Sequence, residues 1–144
     1  MEFKKFEFKE HTADVLIVAY GKSIEELFEN AAIAVFEVMT DTSKVEPKLE
    51  YKVEEEGIDL ESLLLRWLET FLVYYDSDNV VFSKFKVDKI WCRDEECYIK
   101  GKGWGEHFNE EKHEKRTIVK AITYAEMKIE KKDNIWTATF VVDI

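Results

Sequence analysis

The sequence contains few of the residues that break or cross-link a polypeptide chain. Its 144 residues include one proline, five glycines, two cysteines and no glutamine. It has no linker-like stretch, no low-complexity tract and no internal repeat, which excludes disordered and solenoid architectures. A chain of this length is large enough to bury its own core. We therefore expect one globular domain over residues 1–144.

Membrane-spanning and targeting signals are also missing from the sequence. No apolar run reaches the ~18 residues that a transmembrane helix requires. The first residues alternate charged and apolar side chains, which is not the pattern of a signal peptide. We expect a cytoplasmic protein with no membrane partner. Lysine and glutamate are abundant and only three of the 21 basic residues are arginine, a composition that suggests a thermophilic source.

Acidic residues dominate the charge balance. Asp and Glu number 31 against 21 Lys and Arg, a formal net charge of −10. Phosphate recognition requires clustered lysine and arginine, so this excess predicts no strong direct binding to nucleic acid. It favours a basic protein partner or a cation instead.

Two segments have the periodicity of amphipathic helices. The first begins with a capping box, in which Ser23 accepts from the amide of Glu26 and Glu26 reaches back to the amide of Ser23. Its apolar residues recur every three to four positions from Ile24 to about Thr40. The second helix begins after the N-cap residue Asp59. It ends at the polar turn 76–79.

The remaining segments alternate apolar and polar residues, as β-strands do. Strands are predicted over residues 2–9, 15–20, 49–54, 80–91, 97–106, 123–130 and 135–142, with a polar loop over 107–117. Together with the two helices, they predict an α+β fold in which two long amphipathic helices pack on a largely antiparallel β-sheet.

Two aspartates at strand ends form a candidate cation site. Asp14 precedes one apolar strand, and Asp143 ends the last strand next to Ile144. An Asp beside a terminal carboxylate supplies hard oxygen ligands, which suit Ca²⁺, Mg²⁺ or Mn²⁺. We expect Asp14 to complete this site. The alternative is that Asp14 only caps a turn.

Four other features of the sequence are candidates for chemistry. Glu106 and His107 offer a carboxylate and an imidazole for a small metal-dependent hydrolase, although they lack a third orienting partner. His113 stands in a charge run typical of a solvated loop, and Lys120 is interpreted as a rim lysine. The glycines of 101–105 lack P-loop or dinucleotide spacing. They instead indicate bulges or close backbone approach.

The two cysteines, Cys92 and Cys97, flank a predicted hairpin turn. We favour two free thiols, with a disulfide across the turn as the alternative. A zinc site is excluded because a second pair of ligands is missing.

Several short motifs together resemble the archease family. They are His11-Thr12-Ala13-Asp14-Val15, Ala19-Tyr20-Gly21, the helix 25–32, Gly105-Glu106, 119–124 and Val142-Asp143-Ile144. Each motif is weak alone, but their joint order along almost the whole chain is specific. Two positions depart from the expected pattern, with Leu16 in place of glycine and Ala125 in place of histidine. The second departure removes a histidine from that strand.

The resemblance implies a function that composition does not reveal. Archeases act as protein cofactors of the RtcB-type RNA ligase, which seals tRNA halves after guanylylating its own histidine with GTP and a divalent metal. The resemblance also implies a calcium-type site made by Asp14, Asp143 and Ile144, the last through backbone or terminal oxygens. An accessory role for a tRNA methyltransferase, as a chaperone-like protein, is the alternative that the same family suggests.

Overall fold

Two helices and seven strands make up the part of the chain that the structure describes. The structure is a computed structural model, and it describes residues 3–11 and 14–144, without the side chains of Glu10 and His11. The elements are β1 (Phe6–His11), β2 (Asp14–Gly21), α1 (Ile24–Met39), a 3₁₀ turn (Thr42–Lys44), β3 (Leu49–Gly57), α2 (Leu60–Asp78), β4 (Val80–Arg93), β5 (Glu96–His107), β6 (Ala121–Lys132) and β7 (Ile135–Asp143). The predicted first strand began at residue 2, which lies outside the described residues.

The α+β fold class is confirmed, but the strands form two sheets where the sequence suggested one. One sheet has four strands in the order β1-β2-β7-β6, and the other has three in the order β3-β5-β4. Every pairing is antiparallel. Strand β6 carries an irregularity between Thr123 and Lys128, and Ala125 lies within it.

Both helices begin at the predicted caps. The Ser23 hydroxyl accepts from the Glu26 amide at 3.1 Å. Glu26, however, accepts from the amide of Lys22 at 2.8 Å, one residue before the predicted donor. Asp59 accepts from the amide of Ser62 at 2.8 Å. Neither helix within the described residues is long and apolar enough to cross a membrane.

A single cluster of buried side chains joins the helices to both sheets. Trp67 of α2 is fully buried, and its indole Nε1–H donates to the Phe28 carbonyl of α1 at 3.0 Å. Phe71 of α2 makes edge contacts with Trp67 and with Phe82 of β4 at centroid distances of 4.8 and 5.0 Å. Such edge-to-face pairs favour one fixed arrangement of the rings.

Helix α2 lies close to β5 because alternate residues of that strand are glycines. A Cβ on Gly103 would stand 2.5 Å from the Phe71 ring, and one on Gly101 would stand 2.9 Å from the Trp67 ring. A Cβ on Gly105 would stand 1.9 Å from the Val81 carbonyl oxygen. This glycine column confirms the prediction of close approach at 101–105.

The hairpin between β4 and β5 is closed by a disulfide. Cys92 and Cys97 are direct cross-strand partners, and their sulfur atoms are bonded. The favoured prediction of two free thiols is wrong, and the alternative disulfide is correct. Asp94, in the turn between them, has a φ of 56°, a left-handed conformation that Asp tolerates better than most residues.

Substituting Gly105 with Ala tests the glycine column. The added Cβ clashes with backbone, which cannot rotate away, so we expect the free energy of unfolding to fall by about 3 kcal/mol. Urea unfolding followed by circular dichroism measures it. Lys100→Ala, at an exposed position of the same strand, serves as the control and leaves the midpoint nearly unchanged. If the two variants had equal urea midpoints, β5 would tolerate a side chain at position 105 of the glycine column.

Candidate functional site

Asp14 and Asp143 lie side by side at one end of the four-stranded sheet. Asp14 is the first residue of β2, Asp143 is the last residue of β7, and the two are direct cross-strand partners. Side chains at paired positions point to the same face of a sheet, with Cβ atoms about 4.5–5.5 Å apart. We call Asp14, Asp143 and the adjoining Ile144 the carboxylate edge.

Burial of the apolar residues determines which way these carboxylates point. Ile17 of β2 and Phe140 of β7 are fully buried, and both strands alternate their side chains between faces. Asp14 and Asp143 therefore lie on the opposite face from Ile17 and Phe140. Asp143 is exposed. Ile144 packs against the core, and this contact anchors the backbone that follows Asp143.

Neighbouring strands hold the carboxylate edge on both sides. The backbone of His11 in β1 is in register with Asp14, and Ala121 in β6 is in register with Asp143. The amide of Lys120 donates to the carbonyl of Asp143 at 2.8 Å. The exposed Lys120 thus lies at the rim of this edge, as predicted. Thr12 and Ala13 of the predicted motif lie outside the described residues.

The donor set of this edge fits a hard cation but is incomplete. Like charges at directly opposed positions destabilise a sheet, and a bound cation relieves that repulsion. Carboxylates supply the oxygen ligands that calcium prefers, whereas calcium takes six to eight of them. Among the described residues, no three His, Cys, Asp or Glu side chains converge as a metal cluster. Metal binding by Asp14, Asp143 and Ile144 remains a prediction.

A second polar cluster, which sequence reasoning missed, surrounds Glu106 at the end of β5. One carboxylate oxygen, Oε2, accepts from the Glu46 amide at 2.7 Å and lies 2.8 Å from Lys112 Nζ. The same oxygen is 3.0 Å from Nε2 of His113. Glu106 and His113 are 9% and 3% exposed. The prediction that His113 belongs to a solvated loop is therefore wrong.

Hydrogen bonds assign the protonation of His113. Its Nδ1 accepts from the amide of Asn109 at 2.9 Å, so the ring hydrogen is on Nε2 and is donated to Glu106. The loop therefore folds back through a turn and inserts an imidazole beneath β5. The sequence around His113 has no periodic pattern that predicts this fold of the loop. Its many charged residues are instead typical of a solvent-exposed segment.

These donors control the acidity of Glu106. Burial alone would raise the pKa of its carboxyl group. The Glu46 amide, the Lys112 ammonium and the His113 imidazole outweigh burial and lower the pKa to about 2. Glu106 is therefore a structural carboxylate that stays ionised.

The acid–base pair suggested for Glu106 and His107 is not formed. His107 is exposed, and its Nδ1 lies 3.0 Å from the carbonyl oxygen of Asp78. Among the described residues Glu106 and His107 share no hydrogen bond, and Glu106 is instead held by three other donors. Their contacts therefore do not support the hydrolase hypothesis.

Comparison with known proteins agrees with the fold. The chain matches the model of the Archease protein family over residues 6–144. It is 60% identical over 141 residues to a protein named archease from Sulfurisphaera tokodaii, covering 98% of this chain and 99% of that one. An archease from Sulfolobus acidocaldarius is 59% identical over 140 residues, covering 97% and 99% of the two chains.

Two solved structures have the same fold. The solution structure of protein 1598 from Methanobacterium thermoautotrophicum superposes with a TM-score of 0.86 at 45% identity, covering 99% of this chain and 100% of that one. The crystal structure of an archease from Thermotoga maritima, described as a possible chaperone, gives a TM-score of 0.56 at 21% identity, covering 94% of each chain. The second likeness concerns the fold alone.

Replacing Glu106 with Gln tests the buried cluster. A carboxyl group whose pKa is depressed on folding adds stability above its unfolded pKa and loses it as pH falls through the folded pKa. We expect the variant to lose about 2 kcal/mol at neutral pH, because hydrogen bonds to charged groups contribute this much. The difference from the parent protein should shrink as pH falls from 4.5 towards 2. Chemical unfolding across pH measures both effects.

The matched control is Glu110→Gln, an exposed change in the same loop. It removes the same charge and should leave stability nearly unaltered at every pH. If Glu106→Gln behaved like this control, the Glu106 cluster would contribute nothing to the fold.

Proposed function

Because the chain belongs to the archease family, we propose that it acts as a protein cofactor of the RtcB-type RNA ligase in tRNA splicing. In this role it promotes GTP-dependent guanylylation of the ligase and supports multiple turnover, without a catalytic nucleophile of its own. The observation that carries the proposal is the register between β2 and β7, which pairs Asp14 with Asp143. The residues that the family resemblance singles out are thus adjacent although 129 positions separate them in the sequence.

A calcium-type cation site at the carboxylate edge is part of the proposal. Asp14 and Asp143 would hold the ion through side-chain oxygens, and Ile144 through a backbone oxygen. Two carboxylates offer at most four oxygens, fewer than calcium takes. Water or oxygen groups of a partner would supply the others. When bound, the ion would supply positive charge between the two paired carboxylates.

The acidic character of the chain supports docking on the ligase. An enzyme that binds RNA presents a basic surface, and a partner with a net charge of −10 is attracted to such a surface. The carboxylate edge stands at the end of the four-stranded sheet, where Asp143 is exposed. We propose that this edge orders loops around the ligase active site or assists metal placement there during transfer of GMP.

The state of Glu106 supports a role without catalysis. A general acid or base requires a pKa near the working pH, whereas the pKa of Glu106 is lowered to about 2. Its carboxylate is held by the Glu46 amide, Lys112 and His113. The polar cluster thus serves the fold.

Calcium titration tests the cation site directly. Replacing Asp143 with Asn keeps its size but removes a charge, so we expect calcium affinity to fall about tenfold. Isothermal titration calorimetry on the full chain gives the affinity. The control is Asp133→Asn, an exposed change in the β6–β7 turn, where the φ of 53° suits asparagine. The control should bind calcium like the parent protein, and equal weakening of both variants would overturn the assignment.

The ligase assay tests the cofactor role. We expect the parent protein to accelerate guanylylation of an RtcB-type ligase by GTP, and Asp14→Asn to reduce this acceleration about tenfold, a typical size for coupling between sites. Incorporation of radiolabelled GMP into the ligase is the measurement. Asp133→Asn should accelerate the reaction like the parent protein.

Two results would contradict the role. If the parent protein left guanylylation unchanged, the cofactor function would fail even with calcium bound. If Asp14→Asn remained fully active, the carboxylate edge would not be the acting surface.

A further inference from the structure

Within the part of the chain that the structure describes, one face of the three-stranded sheet is covered by no helix. On β5, the glycine column faces α2, so the alternate residues Tyr98, Lys100, Lys102 and Trp104 face away from the core. The residues paired with them on β3 and β4 share that side. We call the face formed by these β5 residues and their β3 and β4 partners the basic face.

Lysines oppose one another across this face. Lys102 on the central strand is the direct partner of Lys52 on β3 and of Lys86 on β4. In the next row, Lys100 is opposite Lys89. Like charges at paired positions destabilise a sheet unless an opposite charge lies across them. The first row is lysine on all three strands, whereas in the second row the β3 partner of Lys100 is Glu54. Two neighbouring rows rich in lysine suit a ligand that carries several negative charges.

Aromatic rings stand at both ends of the lysine rows. Trp91 stacks on Tyr98 at a centroid distance of 5.2 Å and an interplanar angle of 20°. Trp104 lies at the other end, six residues from Tyr98 along β5, a distance of about 20 Å in an extended strand. Trp91 is 40% exposed. Rings on an open sheet face can stack on bases, whereas the charged Asp and Glu side chains of an acidic peptide carry no ring to stack on them.

Acidic side chains neutralise only part of this charge. Lys100 lies 3.6 Å from Glu54, and Lys102 lies 4.0 Å from Glu50. Such exposed pairs contribute little and are readily exchanged. The face carries six basic residues (Lys52, Lys84, Lys86, Lys89, Lys100, Lys102) and three acidic ones (Glu50, Glu54, Glu56). The face is therefore net positive on a chain whose net charge is −10.

We propose that the basic face binds single-stranded nucleic acid. Phosphates lie along the two lysine rows, while bases stack on Trp104 and on the Trp91–Tyr98 pair. The ammonium groups of Lys84 and Lys89 already lie 4.9 Å from the Trp104 and Trp91 ring centroids. When a base stacks on either ring, the ammonium group moves from the ring to a phosphate, because stacking of a base outweighs an exposed cation–π contact.

This inference does not rest on the proposed function. Net charge alone predicted no strong nucleic-acid binding, but a total conceals how charges are distributed over faces. The acidic surface elsewhere repels the rest of a long strand, so binding is moderate and strongly salt-dependent. A short single strand that fits on one sheet face is the favoured ligand.

Fluorescence anisotropy with a fluorescein-labelled single-stranded RNA of about ten nucleotides tests the proposal. The full-length double variant Lys86→Gln/Lys102→Gln removes two phosphate contacts. We expect about tenfold weaker binding at low salt, and a plot of log affinity against log salt that is shallower by about 1.4, since each single-strand contact contributes about 0.7.

The matched control is Lys44→Gln/Lys115→Gln, which changes the net charge equally at exposed positions outside the face. It should bind the RNA within about twofold of the parent protein. Trp104→Leu separates stacking from charge: it should weaken binding about tenfold while leaving the salt slope unaltered. Circular dichroism confirms that each variant is folded, and the lysine variant tests the proposal even if Trp104→Leu fails to fold.

Several outcomes would overturn the proposal. They are an absence of RNA binding by the parent protein, an equal loss of affinity in the control and the Lys86/Lys102 variant, and equally effective competition by an oligoglutamate peptide. The last would identify a general anion surface. Single-strand recognition is supported if only the variants of the basic face lose affinity for the RNA. The Lys86/Lys102 variant should then also have a shallower salt slope, whereas Trp104→Leu should keep the slope of the parent protein.

Discussion

The close contact between α2 and the glycine column of β5 is the constraint on which the rest of the molecule depends. A helix that carries Trp67 and Phe71 reaches this strand only where Gly101 and Gly103 leave room for the rings. In this position the Trp67 indole donates a hydrogen bond to the Phe28 carbonyl of α1. Helix α1 in turn packs on β2 of the other sheet. The orientation of β5 also determines which residues face solvent. The packing of α2 on β5 thus connects the two sheets through α1. It also leaves the opposite side of β5, the basic face, towards solvent.

The two sheets present different chemistry to the surroundings. The four-stranded sheet ends in paired carboxylates, whereas the three-stranded sheet carries opposed lysines between aromatic rings. Both arrangements place like charges at paired positions, which is unfavourable in a sheet to the extent that neighbouring opposite charges do not offset the repulsion. Natural proteins retain such locally unfavourable features chiefly at functional sites. The two proposed sites, an acidic end for a cation and a basic face for a polyanion, thus lie on different sheets of one domain.

Periodicity predicted the helices well, because an apolar stripe of 3.6-residue period and a capping residue are local signals. Periodicity does not predict which strands pair. A two-residue period indicates which side of a strand is buried but not which strand lies beside it. The adjacency of Asp14 and Asp143 was proposed from the sequence as a hypothesis, and it needed the β2–β7 register to be seen. His113 was misjudged because its charged neighbours resemble a solvated loop. The opposed lysines are not predictable from the sequence, because alternation along one strand does not give its partners on the neighbouring strands.

The pairing of β2 with β7 has a consequence for how the molecule is made. Asp14 and Asp143 are partners across almost the full length of the chain, so the central strand pair of one sheet closes a loop that contains both helices and the other sheet. Contacts of such long sequence separation slow folding, because the entropy of loop closure is lost before the contact forms. During synthesis, β2 therefore waits without its β7 neighbour until both helices and the three-stranded sheet have been made. The carboxylate edge thus forms late, after the elements that lie between its two strands.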